Sequence, residues 1–251
     1  MRVIGVIPSR WGSTRLPGKS LLPLCGKPLV QHVVERGRMC RELDDLLVAT
    51  DDQRIVDVVE SFGGRAVMTR PDHPSGTDRI AEAISGLDAD LVVNIQGDEP
   101  LLDPALVDSL VVQMRQGAWD MGTAATPLED VAALGDPAVV KVVFGANKQA
   151  LYFSRSVIPC NRDGDVRLYV ESEPVYWRHI GLYAYRRDFL MRLVAVAPCV
   201  IEQTEKLEQL RALHMGCRML VVPTHKVSVG VDTPADVVTV ERLLGEQSDN
   251  A

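Results

Sequence analysis

Long hydrophobic runs are missing from this 251-residue sequence. No apolar stretch approaches the roughly 18 residues of a membrane-spanning helix, so none is expected. Cysteine is scarce and unpatterned. Cys25, Cys40, Cys160, Cys199 and Cys217 are odd in number and contain no C-x-x-C pair. That speaks against a disulfide framework and for reduced thiols in or near the core. No His-rich or Cys-rich ligand set suggests zinc. Positive charge is in deficit, with 27 Lys and Arg against 34 Asp and Glu and a net charge of −7. A nucleic-acid binder would usually be basic, so any anionic ligand must be held by a local cluster of cations. The N-terminus lacks the basic, apolar and small-residue succession of a secretory signal, and a cytoplasmic location is the expectation. Hydrophobic residues at 46% and charged residues at 24% are ordinary for a globular chain long enough to bury its own core.

The most informative stretch is Ile7-Pro-Ser-Arg-Trp-Gly-Ser-Thr-Arg-Leu-Pro-Gly-Lys19. The apolar run Val3 to Ile7 reads as a buried strand over residues 2–8, and a loop with Gly12, Gly18, Arg10, Arg15 and Lys19 follows it. Glycines that admit close backbone approach, with three cations around them, suit a polyphosphate. The spacing is neither G-x-x-x-x-G-K-[ST] nor G-x-G-x-x-G. An ordinary ATPase loop and a nicotinamide dinucleotide fold are thereby disfavoured.

Apolar runs at residues 46–50, 65–69 and 90–96 alternate with helical patterns at 28–39, 52–62 and 77–87. Such alternation predicts a mostly parallel sheet flanked by helices, with ligands beyond the carboxyl ends of the strands. The first loop, Asp51 and Gly97-Asp98-Glu99 all fall on that edge. Later, residues 139–144, 150–153, 178–185 and 218–222 read as strands and 204–215 as one helix. A polar loop covers 158–174. Thr233 and Pro234 open a last helix as N-cap and first helical residue. The pattern fits one domain over 1–251, with a core at about 1–130 and 204–251 and a smaller lobe at about 131–203.

Two acids stand at strand ends. Asp98 follows the apolar run that ends at Ile95, where a carboxylate can hold a hard cation or simply cap a turn. Glu99 is a second candidate. Asp232, in Gly230-Val-Asp-Thr-Pro234, has helix capping as its commoner fate. Paired with Asp98 it would suit Mg²⁺. Ser75 reads as a helix cap, with Gly76 and Thr77 offering amides to an anion. Arg155, Arg178 and His179 could hold an acidic second substrate, although a strand histidine is more often a core or edge residue.

Together these segments resemble the 3-deoxy-D-manno-octulosonate (KDO) cytidylyltransferase family, the CMP-KDO synthetases. The matching stretches include IPSRWGSTRLPGKSL, CGKPLVQHV, VATDD, SGTDR, NIQGDEP, ALYFSRSVIP, RHIGLYAYRRDFL, EKLEQLRAL and GVDTPADV, in the family's order over nearly the whole chain. The resemblance implies an α/β fold of the nucleotide-diphospho-sugar transferase type, with a smaller dimerisation lobe. It implies transfer of CMP from CTP to KDO with release of pyrophosphate, serving bacterial lipopolysaccharide or capsule synthesis, with Mg²⁺ as cofactor and a homodimer as the assembly. By the same resemblance Arg10, Ser13, Arg15, Lys19, Ser75 and Gly76 face the nucleotide, and Asp98 and Asp232 hold the metal. Lys19 and Arg15 stabilise the leaving pyrophosphate. Arg79, Gln96, Arg155, His179, Tyr183, Glu208 and Gln209 line the sugar-acid side. Two positions depart from the family: Pro74 stands where Gln is common, and Trp11 where Tyr is common. Alternatives are a cytidylyltransferase for 8-amino-KDO or a nonulosonic acid, and a non-catalytic nucleotide-binding regulator, which would be expected to lose the metal acids.

Overall fold

The structure is a computed structural model that describes residues 1–12, 16–164, 167–226 and 229–248. The chain forms two compact units, one of residues 1–111 and 228–251 and the other of residues 112–227. The division falls inside a helix, upstream of the boundary near residue 131 suggested by sequence pattern. On the far side it lies at 227/228 rather than 203/204.

The first unit is built on four parallel strands: β1 (Val3–Ser9), β2 (Asp45–Thr50), β3 (Ala66–Met68) and β4 (Leu91–Asn94). Their order is β4-β1-β2-β3. Nearly every residue of β1 and all of β4 is buried, as expected of central parallel strands covered on both faces. The register pairs Ser9 with Thr50 and Val6 with Asn94, so the strands end along a common edge. Helices α1 (Leu29–Gly37), α2 (Gln53–Ser61) and α3 (Gly76–Ala83) fill the connections. Asp52 caps α2 by accepting from the Arg54 amide at 3.0 Å.

Helix α4 (Pro104–Gln116) carries the unit boundary. In the second unit β5 (Met121–Pro127) is followed by a short helix, α5 (Val131–Gly135), then β6 (Lys141–Phe144), β7 (Ala150–Ser154) and β8 (Trp177–Arg186). Helices α6 (Arg187–Val194), α7 (Val200–Glu205) and α8 (Gln209–His214) lead to β9 (Met219–Pro223). Strand β5 pairs parallel with β9 and antiparallel with β8, and the antiparallel run β8-β6-β7 extends the sheet. Four of these elements, α4, β5, α5 and α6, lie where sequence pattern gives none. The polar segment 158–174 is not wholly loop. Tyr169–Val170 pairs with Glu173–Pro174, and a cavity of about 270 Å³ lies beneath it, lined by Cys160, Asn161 and Tyr176 among others.

One sequence expectation fails outright. Residues 204–215 are not a continuous helix. Lys206 adopts a left-handed conformation (φ 54°) that ends α7, and α8 starts at Gln209. The break is held by tertiary bonds: the Arg155 guanidinium donates to the carbonyls of Glu205 (2.7 Å) and Lys206 (3.4 Å). The last helix, α9 (Pro234–Ser248), starts where expected and runs on past Glu246. All five cysteines are free. Cys40 and Cys217 are buried, but Cys25 and Cys160 are exposed, so a core location holds for only part of the set.

Candidate active site

Two aspartates 134 positions apart meet in the first unit, and backbone bonds bring them together. The Val231 amide donates to the Asp98 carbonyl at 2.8 Å, laying the segment before α9 against the turn after β4. Leu24, Leu29, Val231 and Val240 form a fully buried cluster that seats α9 beside α1 and fixes this approach. Gly97 is required there: a Cβ on it would lie 2.6 Å from the Pro8 carbonyl at the end of β1. The alternative role of Asp232 as helix cap is taken by its neighbours. Thr233 Oγ1 accepts from the Asp236 amide, and the Asp236 carboxylate accepts from the amides of Asp232 (3.0 Å) and Thr233 (2.7 Å).

Both carboxylates converge on one ammonium. Lys19 Nζ donates to Asp98 Oδ2 at 2.7 Å and to Asp232 Oδ1 at 3.1 Å. Lys19 opens a single 3₁₀ turn, Lys19–Leu21, entered through Gly18 in the left-handed region (φ 68°). Ser20, in the same turn, is tied back to the end of β1 by a 2.6 Å bond between the hydroxyls of Ser9 and Ser20. These residues border a cleft of about 350 Å³, within the usual range for small-molecule sites. It lies at the carboxyl ends of β1 and β4, where open parallel sheets bind ligands.

Arg10, Lys19, Ser75, Gly76, Arg79, Gln96, Asp98 and Asp232 all line this cleft, as do His73 and Pro74. Glu99 does not. Ser13 and Arg15 lie outside the described residues. Ser75 caps α3, its hydroxyl accepting from the Asp78 amide at 3.3 Å, so the capping role assigned from sequence is present. Gly76 presents the first turn of α3 to the cleft, the polarity that suits an anion. Arg79 is 4% exposed and its guanidinium is held by protein: Nη2 donates to Asp51 Oδ2 at 2.9 Å and Nη1 to Thr69 Oγ1 at 2.6 Å. The other oxygen of Asp51 accepts from the Trp11 amide at 3.2 Å. Asp51 thus joins the wall of the cleft to the start of the basic loop. Its place after β2 was legible from sequence, its two partners were not. The Trp11 ring covers Gly18, and the Arg54 guanidinium stacks 3.4 Å from the centre of that ring.

The remaining candidates, Arg155, His179, Tyr183, Glu208 and Gln209, belong to the second unit. Three of them are neighbours: the rings of His179 and Tyr183 lie 5.4 Å apart, and burial, with the Glu208 carboxylate adding to it, pushes the Tyr183 phenol up. Gln209, 5% exposed, buries its Nε2 without a hydrogen-bond partner among the described residues. Arg155 is used differently. Besides Glu205 and Lys206, its guanidinium donates to the Pro137 carbonyl at 2.8 Å, which makes it a framework residue of this unit. Beside it the Lys141 side chain, fully buried, donates to the carbonyls of Val139 (2.7 Å) and Arg155 (2.6 Å). Desolvation holds this ammonium below the ordinary lysine range.

His179 packs edge-on to Phe153 at 5.0 Å, and desolvation pushes its imidazole down to about 3. The Thr123 hydroxyl donates to the Leu182 carbonyl at 2.8 Å, which leaves Thr123 Oγ1 to accept from His179 Nε2 at 3.0 Å. Nε2 is then the donor of this contact, and it is burial, not the bond, that disfavours the charged imidazole. An NMR titration should show no His179 transition between about pH 5 and 8. Because the unfolded chain takes up a proton near pH 6.5 that the folded imidazole refuses, the stability it contributes is present above that pH. It is lost as pH falls from about 6.5 towards about 3, at up to about 1.4 kcal/mol per unit. A His179 resonance that titrates near 6.5 would contradict this.

The cytidylyltransferase family profile matches residues 4–220, and the chain belongs to that family. Within it, the chain groups with the 3-deoxy-manno-octulosonate cytidylyltransferases. It is 46% identical to that enzyme from Geobacter sulfurreducens over 249 residues, covering 97% of this chain and 100% of the relative. It is 47% identical to the one from Syntrophotalea carbinolica over 251 residues, covering 97% and 99%. A solved structure described as CMP:2-keto-3-deoxy-manno-octonic acid synthetase complexed with CTP superposes with a TM-score of 0.92 at 40% identity, covering 98% of this chain and all of the other.

Proposed function

We infer that this enzyme transfers CMP from CTP to KDO and releases pyrophosphate. The observation that carries the reading is the meeting of Lys19, Asp98 and Asp232 at one point in a polar cleft, in a chain whose full-length relatives bear that activity in their names. The anomeric hydroxyl oxygen forms a bond to the α-phosphorus of CTP. The bond from that phosphorus to the bridging oxygen breaks, pyrophosphate leaves in line, and the hydroxyl proton is released. Such a transfer asks the protein mainly for positioning and charge stabilisation. Arg10, Lys19 and the first turn of α3 at Ser75 and Gly76 hold the phosphates. Ser13 and Arg15 join them by resemblance. Lys19 and Arg15 stabilise the charge that develops on the leaving group. By resemblance, recognition of the sugar acid is assigned to Gln96 in the first unit and to His179, Tyr183, Glu208 and Gln209 in the second. Arg79 and Arg155, whose guanidinium groups are bound by protein, shape that recognition by holding the framework.

Asp98 and Asp232 would hold Mg²⁺. The donor set fits: two carboxylates face a single point already taken by a cation, and Mg²⁺ commonly takes one or two carboxylates with phosphate oxygens and waters as its other ligands. When bound, it supplies charge neutralisation at the phosphates and a lowered pKa for the sugar hydroxyl.

Purified protein should release pyrophosphate from CTP when both Mg²⁺ and KDO are present, with ATP and GTP as poor substitutes. A panel of KDO, 8-amino-KDO and a sialic acid identifies the acceptor. Equal turnover with every nucleotide would refute the assignment to CTP. The product would feed lipopolysaccharide or capsule synthesis from the cytoplasm. Among the described residues no helix is long and apolar enough to cross a membrane. A homodimer formed through the smaller lobe completes the reading. In its support, Leu151 on the edge strand β7 is 63% exposed and Val170 is 53% exposed. Sedimentation should give about twice 27.5 kDa, and a 27.5 kDa species at micromolar concentration would count against it.

A further inference from the structure

We propose that Lys19 is an exchangeable internal counter-cation, and that this exchange couples entry of the divalent metal to entry of the nucleotide. The inference rests on the reading of Asp98 and Asp232 as metal ligands and goes beyond it.

The Lys19 ammonium sits 2.7 Å from one carboxylate and 3.1 Å from the other. Its side chain is only 15% exposed, against 31% and 48% for Asp98 and Asp232. The backbone behind it is pinned, because the Lys19 amide donates to the Leu16 carbonyl at 3.0 Å and its carbonyl accepts from the Leu22 amide at 3.0 Å. Only the four-carbon stem is left to move the ammonium. A divalent cation held by the same two carboxylate oxygens would compete with Nζ for that place. Two cations cannot share it, since like charges a few ångströms apart in a partly desolvated cleft repel strongly. Lys19 therefore competes with the metal in the nucleotide-free enzyme. A polyphosphate in the cleft offers the displaced ammonium a new anionic partner. Nucleotide then raises metal affinity and, by reciprocity, metal raises nucleotide affinity. The same residue both keeps the two acids from repelling each other at rest and waits beside the place where phosphate arrives.

Mn²⁺ binding followed by paramagnetic resonance tests this without turnover. In the absence of nucleotide, Lys19→Met should bind Mn²⁺ about tenfold more tightly than wild type, the scale of one charge-assisted contact removed from competition. Lys19→Arg keeps a cation at the acids and should remain as weak as wild type. With a non-hydrolysable CTP analogue the order reverses, Lys19→Met binding the analogue more weakly. Adding Asp98→Asn to Lys19→Met should abolish the gained Mn²⁺ binding. Equal Mn²⁺ affinity of wild type and Lys19→Met, with Asp98→Asn still lowering it, would overturn the exchange and leave the metal-ligand reading standing. Equal tightening by Met and Arg would overturn it as well, since packing rather than charge would then be responsible. Gained binding that survives Asp98→Asn would remove the acids as ligands and both readings with them.

Discussion

Replacing Asp98 or Asp232 by Asn is expected to lower turnover by about 10³-fold, the scale of losing a preorganised electrostatic contact at a transition state. The fold should hardly notice. Both carboxylates are partly exposed and their bonds to Lys19 are those of a half-solvated pair, which contributes about 0–1 kcal/mol. For a chain of this length that is a shift of at most about 4 °C in Tm. The two readouts separate the roles the sequence left open for Asp232. A helix cap would lose stability and keep its activity per folded molecule. Thr233 and Asp236 already form the cap, so the opposite pattern is expected. Wild-type turnover in either variant would end the proposed mechanism.

The parts legible in the sequence are those whose signal is local. Strands β1 and β4 are continuous apolar runs because both faces are covered, and each ends in a polar turn that places Arg10 or Asp98 at the edge of the sheet. Ser75 and Thr233 announced their helices by capping chemistry. What escaped was decided by distant partners. All seven residues of β5 are buried, yet Gly122, Thr123, Ala124 and Ala125 give no apolar run and no alternation, so neither the strand nor the Thr123 bond to His179 could be anticipated. Lys206 breaks a helical pattern where Arg155, just after β7 and some fifty residues earlier, donates to the carbonyls of Glu205 and Lys206. Lys141, a charged residue within the expected strand 139–144, lies fully buried, its ammonium satisfied by backbone carbonyls. The convergence of Asp98 and Asp232 is intermediate. Each acid was legible at a strand or helix end, while their meeting depends on one long-range backbone bond and the packing of α9.

Breaking the Glu202–Arg211 pair should destabilise the second unit more than replacing Asp98 or Asp232 by Asn destabilises the first. The pair is buried, at 8% and 7% exposure. Arg211 Nη2 donates to Glu202 Oε1 at 2.6 Å and Nε to Oε2 at 2.9 Å, a bidentate fork. Glu202 also accepts from the Cys199 amide at the start of α7, and Arg211 reaches the Val196 carbonyl at 3.2 Å after α6. One ion pair therefore ties together three helices. Arg211→Ala leaves a buried carboxylate without its partner, which costs about 3–5 kcal/mol. At about 2–4 °C per kcal/mol this lowers Tm by about 10 °C. Replacing both residues by apolar ones of similar size, Glu202→Leu with Arg211→Met, should cost less than Arg211→Ala alone, because no uncompensated charge remains. The consequence for activity follows from position. The corner between α7 and α8 carries Glu208 and Gln209, and Arg211 Nη2 lies 3.8 Å from Glu208 Oε2. Below its lowered Tm, Arg211→Ala should raise the KM for the sugar acid more than that for CTP. Thermal melts and steady-state kinetics on the same preparations test both halves. Strictly additive losses in the single and double variants would show that the two side chains do not act as a pair. An unchanged KM for the sugar acid would show that the corner does not position that substrate.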